Sequence, residues 1–250
     1  MSLLAVEQLA KNFGGVAAAD GLDLSLEQGE LHAVIGPNGA GKTTLINQLS
    51  GEIRPDAGRI VFDGQDITRA PAYRRSLLGL SRSYQITSVF REFTVLQNVA
   101  MAVQAHAGHS FAFWSPAASD LCLTEPAAAV LAQVGLSAKS SALVSSLAHG
   151  EQRQLELAMA LVTRPKLLLL DEPMAGMSHS EAESIVALLA SLKGRYSILL
   201  VEHDMDAVFA LADRITVLVY GKAIACGAPD EIRANPEVRE NYLGDQDAEA

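Results

Sequence analysis

Short runs of apolar residues recur along the chain, each bounded by glycine, aspartate or proline, and they predict buried β-strands. Between several of these runs, apolar residues return every three or four positions, which predicts amphipathic helices. The predicted strands cover residues 22–26, 31–35, 59–62, 167–170, 198–201 and 215–219. The predicted helices begin after Lys42 and cover residues 151–162, 180–192 and 205–212.

This alternation predicts an α/β protein with a mainly parallel sheet that is covered on both faces and binds ligands at the carboxyl ends of its strands. The strand pattern stops between about Phe90 and His149, where alanine-rich stretches with helical spacing take over. We therefore interpret this interval as a helical insertion in the α/β core.

The balance of charges limits the partners that the chain can have. Its 29 acidic residues outnumber its 19 lysines and arginines, for a net charge of -10. Sequence-independent binding to nucleic acid needs many basic contacts to phosphates, so we expect no nucleic-acid partner. Cys122 and Cys226 stand far apart and match no metal spacing, which favours reduced, packed thiols over a disulfide framework.

No apolar run approaches the roughly 20 residues that cross a bilayer. The N-terminal sequence also lacks a basic segment followed by a long apolar run, the pattern of a secretory signal. We therefore expect a cytoplasmic protein that reaches a membrane only through a partner.

The sequence GPNGAGKT follows the predicted strand LHAVI and opens a helix, which is the context of a Walker A phosphate-binding loop. Its glycines allow a tight turn that brings backbone N–H groups against phosphate oxygens. Lys42 would supply a positive charge to the β and γ phosphates, and the Thr43 hydroxyl would bind Mg²⁺. The candidate residues for binding ATP are Gly36, Pro37, Asn38, Gly39, Ala40, Gly41, Lys42, Thr43 and Thr44.

A second motif, LLLLDEP, places two carboxylates directly after an apolar strand. Burial of a carboxylate is costly unless a cation or a proton compensates its charge, and a magnesium–nucleotide site supplies that cation. We assign Asp171 to the Mg²⁺ shell and Glu172 as the general base, or water-orienting group, for attack on the γ-phosphate. A purely structural capping role for the pair is the alternative.

A third motif, LAHGEQ, precedes the amphipathic sequence RQLELAMALV, so Gly150 stands at the start of a helix whose N–H groups can face an anion. By itself, the motif is equally consistent with an ordinary helix start.

Together these motifs resemble those of the ABC ATPases, a family of P-loop NTPases, over nearly the whole chain. The resemblance implies a core with an N-terminal antiparallel β subdomain (residues 1–89 and 150–245), a helical subdomain (about 90–149) and a tail (246–250). It also implies that ATP lies between the Walker A loop of one subunit and the LAHGEQ-type signature of a second. That signature set is Ala148, His149, Gly150 and Glu151.

The same resemblance assigns roles to three further residues. Gln85 would reach Mg²⁺ or the attacking water, and His203 would contact the γ-phosphate during catalysis. Phe13 would stack on the adenine ring. The alternatives are a surface glutamine, a structural histidine and a core phenylalanine.

Two segments depart from the family pattern. The usual signature LSGGQ has a serine and a glycine where this chain has Ala148 and His149. Since the serine hydroxyl contacts phosphate in the family, we expect one such hydrogen bond to be missing. The aspartate of the usual SALD segment is replaced by Ser178. We expect communication across the dimer to differ accordingly.

The phrases FREFTVLQNV, DEPMAGM and VEHDMDAVF and the ending PEVRENYLGD resemble ATPases of branched-chain amino acid importers. The resemblance implies partners: a second ATPase subunit, transmembrane permease subunits at the cytoplasmic face of the cell membrane and, indirectly, a solute-binding protein. A urea or short-amide importer is the runner-up. A soluble, non-transport ABC ATPase is disfavoured because the chain has one such domain and no heptad stretch.

A basic segment precedes Gln85 and contains Arg69, Arg74, Arg75 and Arg82. Such a cluster could meet an acidic loop of a partner, but we favour a solvated helix face.

Overall fold

A computed structural model describes residues 2–83, 89–107 and 120–243. The strands are β1 (Leu4–Phe13), β2 (Val16–Leu26), β3 (Leu31–Ile35), β4 (Ala57–Phe62), β5 (Gln65–Asp66), β6 (Leu80–Ser83), β7 (Leu167–Asp171), β8 (Ser197–Val201), β9 (Arg214–Val219) and β10 (Lys222–Gly227). The helices are α1 (Lys42–Ser50), α2 (Ala72–Leu77), α3 (Val95–Ala107), α4 (Leu121–Gln133), α5 (His149–Leu161), α6 (His179–Leu192), α7 (Met205–Leu211), α8 (Pro229–Ala234) and α9 (Pro236–Val238).

A six-stranded sheet forms the centre of the fold, in the order β10-β9-β3-β8-β7-β6. All neighbouring pairs are parallel except β10 with β9. Every residue of β3, β7 and β8 is buried, because both faces of the sheet are covered. The predicted α/β fold with a mainly parallel sheet is confirmed.

A four-stranded antiparallel sheet, in the order β2-β1-β4-β5, covers one face together with α1. Strand β1 was missing from the predicted strands. The pairing of β1 with β2 shifts register between Val6 and Leu9 and again before Asn12, and Gln8 adopts a positive φ of 48°. These irregularities interrupt the alternation of apolar and polar residues that would otherwise reveal a strand.

Helices α5, α6 and α7 cover the other face, and α3 and α4 pack beyond α5. The predicted helical insertion thus contains α3, α4 and two short 3₁₀ turns, Ser137–Lys139 and Val144–Ser146, among its described residues. Within the described ranges, no helix is both long and apolar enough to cross a membrane.

The prediction of a solvated basic face is wrong at Arg75. Its side chain is 1% exposed and points at the C-terminal end of α1, where it donates to the carbonyl oxygens of Gln48 (2.6 Å) and Leu49 (2.8 Å). Carbonyls at a helix C-terminus lack helical partners and carry the negative end of the helix dipole, so a guanidinium suits them. Burial lowers the pKa of Arg75 to about 10, which leaves it charged at neutral pH.

We expect Arg75→Met to lower the free energy of unfolding by about 2–4 kcal/mol, because the carbonyls that Arg75 binds stay buried without a donor. Urea unfolding followed by circular dichroism measures the change. Arg74→Met is the matched control, since Arg74 lies on the same helix and is exposed. Equal losses in the two variants would contradict the assignment.

Candidate active site

The loop after β3 carries the Walker A sequence and begins α1. Gly36 has a φ of 150° and Gly41 a φ of 104°, conformations that favour glycine. A Cβ atom on Gly36 would lie 2.0 Å from the Leu218 carbonyl oxygen, and one on Gly41 would lie 2.1 Å from that of Ala18. Glycine is therefore the one residue that lets this loop pack against its neighbours.

The other residues of the phosphate loop differ in their exposure to solvent. Ala40 is buried, and its carbonyl oxygen accepts a hydrogen bond of 3.0 Å from the N–H of Gly221 in the β9–β10 turn. Asn38, Gly39 and Thr43 are exposed, whereas Pro37 and Thr44 are half-buried. The Thr43 hydroxyl therefore stands in the exposed first turn of α1.

Lys42 is 7% exposed and lies inside the curve of the loop. Its Nζ atom donates to the carbonyl oxygens of Gly36 (2.5 Å) and Pro37 (3.1 Å). Burial lowers the pKa of this ammonium group, while the charges of Glu172 and Asp171 oppose that shift. A cation buried at a helix N-terminus and surrounded by carbonyls suits a phosphate ligand.

Asp171 ends β7 with a buried carboxylate. Its Oδ2 atom accepts a hydrogen bond of 3.1 Å from Nη2 of Arg82, so Arg82 is a second error in the prediction of a solvated face. The other oxygen, Oδ1, is buried and has no hydrogen-bond partner among the described residues. Burial raises the pKa of Asp171, and the Arg82 charge opposes the rise. An unpartnered buried carboxylate oxygen fits a cation site.

The described residues contain no cluster of three histidine, cysteine, aspartate or glutamate side chains that could hold a metal alone. A cation here would need ligands from nucleotide and water. Mg²⁺ binds in this way, through one or two protein groups together with phosphate oxygens. Asp171 and Thr43 therefore fit magnesium bound with a nucleotide.

Glu172 adopts a φ of 48°, a left-handed conformation that is strained for a residue with a side chain. Its N–H donates to the carbonyl oxygen of Val201 at 2.9 Å, which fixes the turn at the ends of β7 and β8. The side chain is half-buried. This turn presents Glu172 beside Asp171 at the carboxyl edge of the sheet.

Glu202, which is not among the predicted site residues, lies beneath this turn. Its side chain is fully buried, with Oε1 accepting from the N–H of Met174 and Oε2 from the N–H of His203, both at 3.0 Å. One carboxylate thus joins the segment after Glu172 to the segment that carries His203. A carboxylate after the apolar run ILLV was the available signal, the same signal that identified Asp171.

His203 follows β8 with a side chain that is 61% exposed, and its Nδ1 atom lies 3.6 Å from Glu202 Oε2. Because β8 lies between β3 and β7, the residues after all three strands meet at one edge of the sheet. The structure thus brings together the phosphate loop, Asp171, Glu172 and His203.

Phe13 lies at the end of β1 and is 48% exposed, which disfavours the alternative of core packing. It pairs with Val16 of β2. Two residues further along β2, the carbonyl group of Ala18 faces Gly41 of the phosphate loop. The hairpin that carries Phe13 therefore contacts the phosphate loop, and the exposed ring is accessible for stacking. Gln85 lies outside the described residues.

Comparison with known proteins identifies the family. The sequence family described as "ABC transporter" matches residues 19–175. The chain belongs to the ABC transporter ATPases. A second family, described as "Branched-chain amino acid ATP-binding cassette transporter", matches residues 224–248 of this ABC ATPase.

The ABC ATPase resembles several curated relatives almost from end to end. It is 38% identical to the high-affinity branched-chain amino acid transport ATP-binding protein BraF of Pseudomonas aeruginosa and 38% identical to LivG of Escherichia coli, covering 97% of this chain and 98% of each relative. It is 31% identical to the lipopolysaccharide export ATP-binding protein LptB of Haemophilus influenzae, over 98% of this chain and 99% of that protein.

Solved structures agree with the fold. The ADP conformation of MJ1267, an ATP-binding cassette of an ABC transporter, superposes with a TM-score of 0.85 at 30% identity, covering 98% of this chain and 99% of that one. A dimeric post-hydrolysis state of the cassette MJ0796 gives a TM-score of 0.75 at 20% identity, over 90% and 98% of the two chains, which speaks for the fold alone. The ABC ATPase thus binds nucleotide and couples ATP hydrolysis to transport.

In this ABC ATPase, we expect Glu202→Gln to lower kcat about tenfold with a small change in the KM for ATP. The two N–H groups bind different oxygens of Glu202, and in glutamine an NH₂ donor replaces one of these oxygens, so one N–H group loses its acceptor and its segment shifts. Steady-state ATPase assays measure both constants. Glu240→Gln, in the exposed C-terminal helical turn, is the control. An unchanged kcat would show that Glu202 does not position the site.

Proposed function

We propose that this ABC ATPase powers the import of branched-chain or other hydrophobic amino acids from the cytoplasmic face of the cell membrane. Two findings support the proposal: the end-to-end similarity to BraF and LivG, and the match of residues 224–248 to the branched-chain family. The second finding favours amino acids over the urea or short-amide alternative. Permease subunits would anchor the ATPase and carry the solute, with a solute-binding protein acting upstream.

The residues proposed to hydrolyse ATP follow the carboxyl ends of β3, β7 and β8. The loop N–H groups and Lys42 hold the β and γ phosphates, and Phe13 stacks on adenine. Thr43 and Asp171 would hold Mg²⁺, which neutralises phosphate charge when bound. Glu172 orients the attacking water and accepts its proton, while His203 contacts the γ-phosphate. Gln85 would complete this set as a contact to Mg²⁺ or water.

A second ATPase subunit, identical or related, would complete the site. In the single chain, two hydrogen bonds hold the segment at the start of α5, which consists of Ala148, His149, Gly150 and Glu151. The N–H of Gly150 donates to Glu181 of α6, and the N–H of Ala148 donates to Glu151. The N-terminus of a helix suits a phosphate, so we assign this segment to the nucleotide held by the partner's loop.

Glu172→Gln should leave ATP binding intact, abolish turnover and trap an ATP-bound dimer, because the water-orienting carboxylate is lost while the phosphate loop remains. Nucleotide binding, phosphate release and size-exclusion chromatography measure these three properties. Lys42→Ala is the contrasting control and should lose ATP binding. Normal turnover in Glu172→Gln would overturn the assignment.

The solute is tested with the full transporter in liposomes. With its permeases and solute-binding protein, ATPase activity should rise about two- to tenfold on addition of leucine, isoleucine or valine, since solute binding favours the state that closes the ATP site. Urea and acetamide are the comparison solutes. Stimulation by these compounds alone would favour the amide importer.

A further inference from the structure

Helix α5 begins without the side-chain cap that a helix normally has. The N-cap position is Ala148, whose methyl group cannot accept a hydrogen bond. Glu151 returns to the N–H of Ala148 at 3.0 Å and pairs with Lys139, so only one half of a capping box is present. The N–H groups of the first turn still need an acceptor.

Glu181 of helix α6 supplies that acceptor. Its Oε1 atom accepts a hydrogen bond of 3.1 Å from the N–H of Gly150. A Cβ atom at residue 150 would lie 3.1 Å from Cγ of Glu181, so a larger residue there would push the Glu181 side chain back by a few tenths of an ångström. A carboxylate of the same chain therefore occupies the N–H at which the proposed partner's phosphate would bind.

The other oxygen of Glu181 holds the start of its own helix. Oε2 accepts from the N–H of Ser178 at 3.0 Å and from its hydroxyl at 2.7 Å. These hydrogen bonds, with that from Gly150, keep the pKa of Glu181 below its ordinary value, so the group is charged at neutral pH. The two segments that depart from the usual family sequence thus meet at Glu181, one through the N–H of Gly150 and the other through Ser178.

We propose that Glu181 is a positioning residue that holds the start of α5 until the γ-phosphate of a partner's ATP displaces it. Two anions cannot share the N–H of Gly150, so closure of the dimer requires Glu181 to release it. Because Glu181 also holds Ser178, its release moves the start of α6, six residues after Glu172. This inference rests on the proposed composite site.

The test uses the full chain carrying Glu172→Gln, in which ATP-bound dimers do not turn over. Glu181→Gln keeps an amide oxygen for capping α6 but removes the negative charge near the phosphate. The ATP concentration for half-maximal dimer, measured by analytical ultracentrifugation, should fall about fivefold. In chains with Glu172 intact, the KM for ATP should fall without a rise in kcat.

Glu183→Gln is the matched control, because Glu183 lies on the same helix with a side chain that is 68% exposed and should change neither value. A purely structural role for Glu181 predicts the same or a higher ATP requirement in Glu181→Gln, together with a lower melting temperature. That result overturns this inference alone. If the Glu172→Gln chain stays monomeric with ATP, a composite site between two copies of this chain is wrong and this inference falls with it, whereas the importer function, which admits a related second subunit, stands.

Discussion

Burial of the central strands on both faces is the constraint on which the rest of the structure depends. Alternate residues of β3, β7 and β8 enter two separate hydrophobic clusters, one on each side of the sheet. The interiors of these strands are therefore mostly apolar, and the carboxylate of Asp171 stands at the end of β7. Parallel pairing places the carboxyl ends of these strands on one edge of the sheet, so side chains from distant parts of the sequence lie close together there.

Much of this arrangement can be predicted from the sequence, because short local patterns of residues indicate it. The apolar runs of β3, β7 and β8 are short and sharply bounded, and the glycines of the phosphate loop follow one of them directly. The carboxylates Asp171 and Glu172 stand at the end of another. Adjacency in the chain is then a good guide to adjacency in the site.

The residues that the sequence did not reveal act across long separations. Arg75 binds carbonyls more than twenty residues away, and Glu202 binds Met174 across 28 positions. Arg75 has no local motif, and the one local signal for Glu202 is its place after the apolar run of β8, since a buried polar side chain is recognised chiefly by its partners. Strand β1 was missed for another reason, because its bulges break the period on which strand prediction depends.

The contact of the phosphate loop with the β9–β10 turn bears on how variants of this protein should be interpreted. Gly221 has a φ of 79°, and a Cβ atom there would lie 3.1 Å from the carbonyl carbon of Ala18, the residue that also faces Gly41. Three backbone segments meet there, and neither Gly41 nor Gly221 has room for a side chain. Intolerance to substitution at Gly221 would thus report crowding, although in an activity screen it would look the same as the loss of a catalytic group.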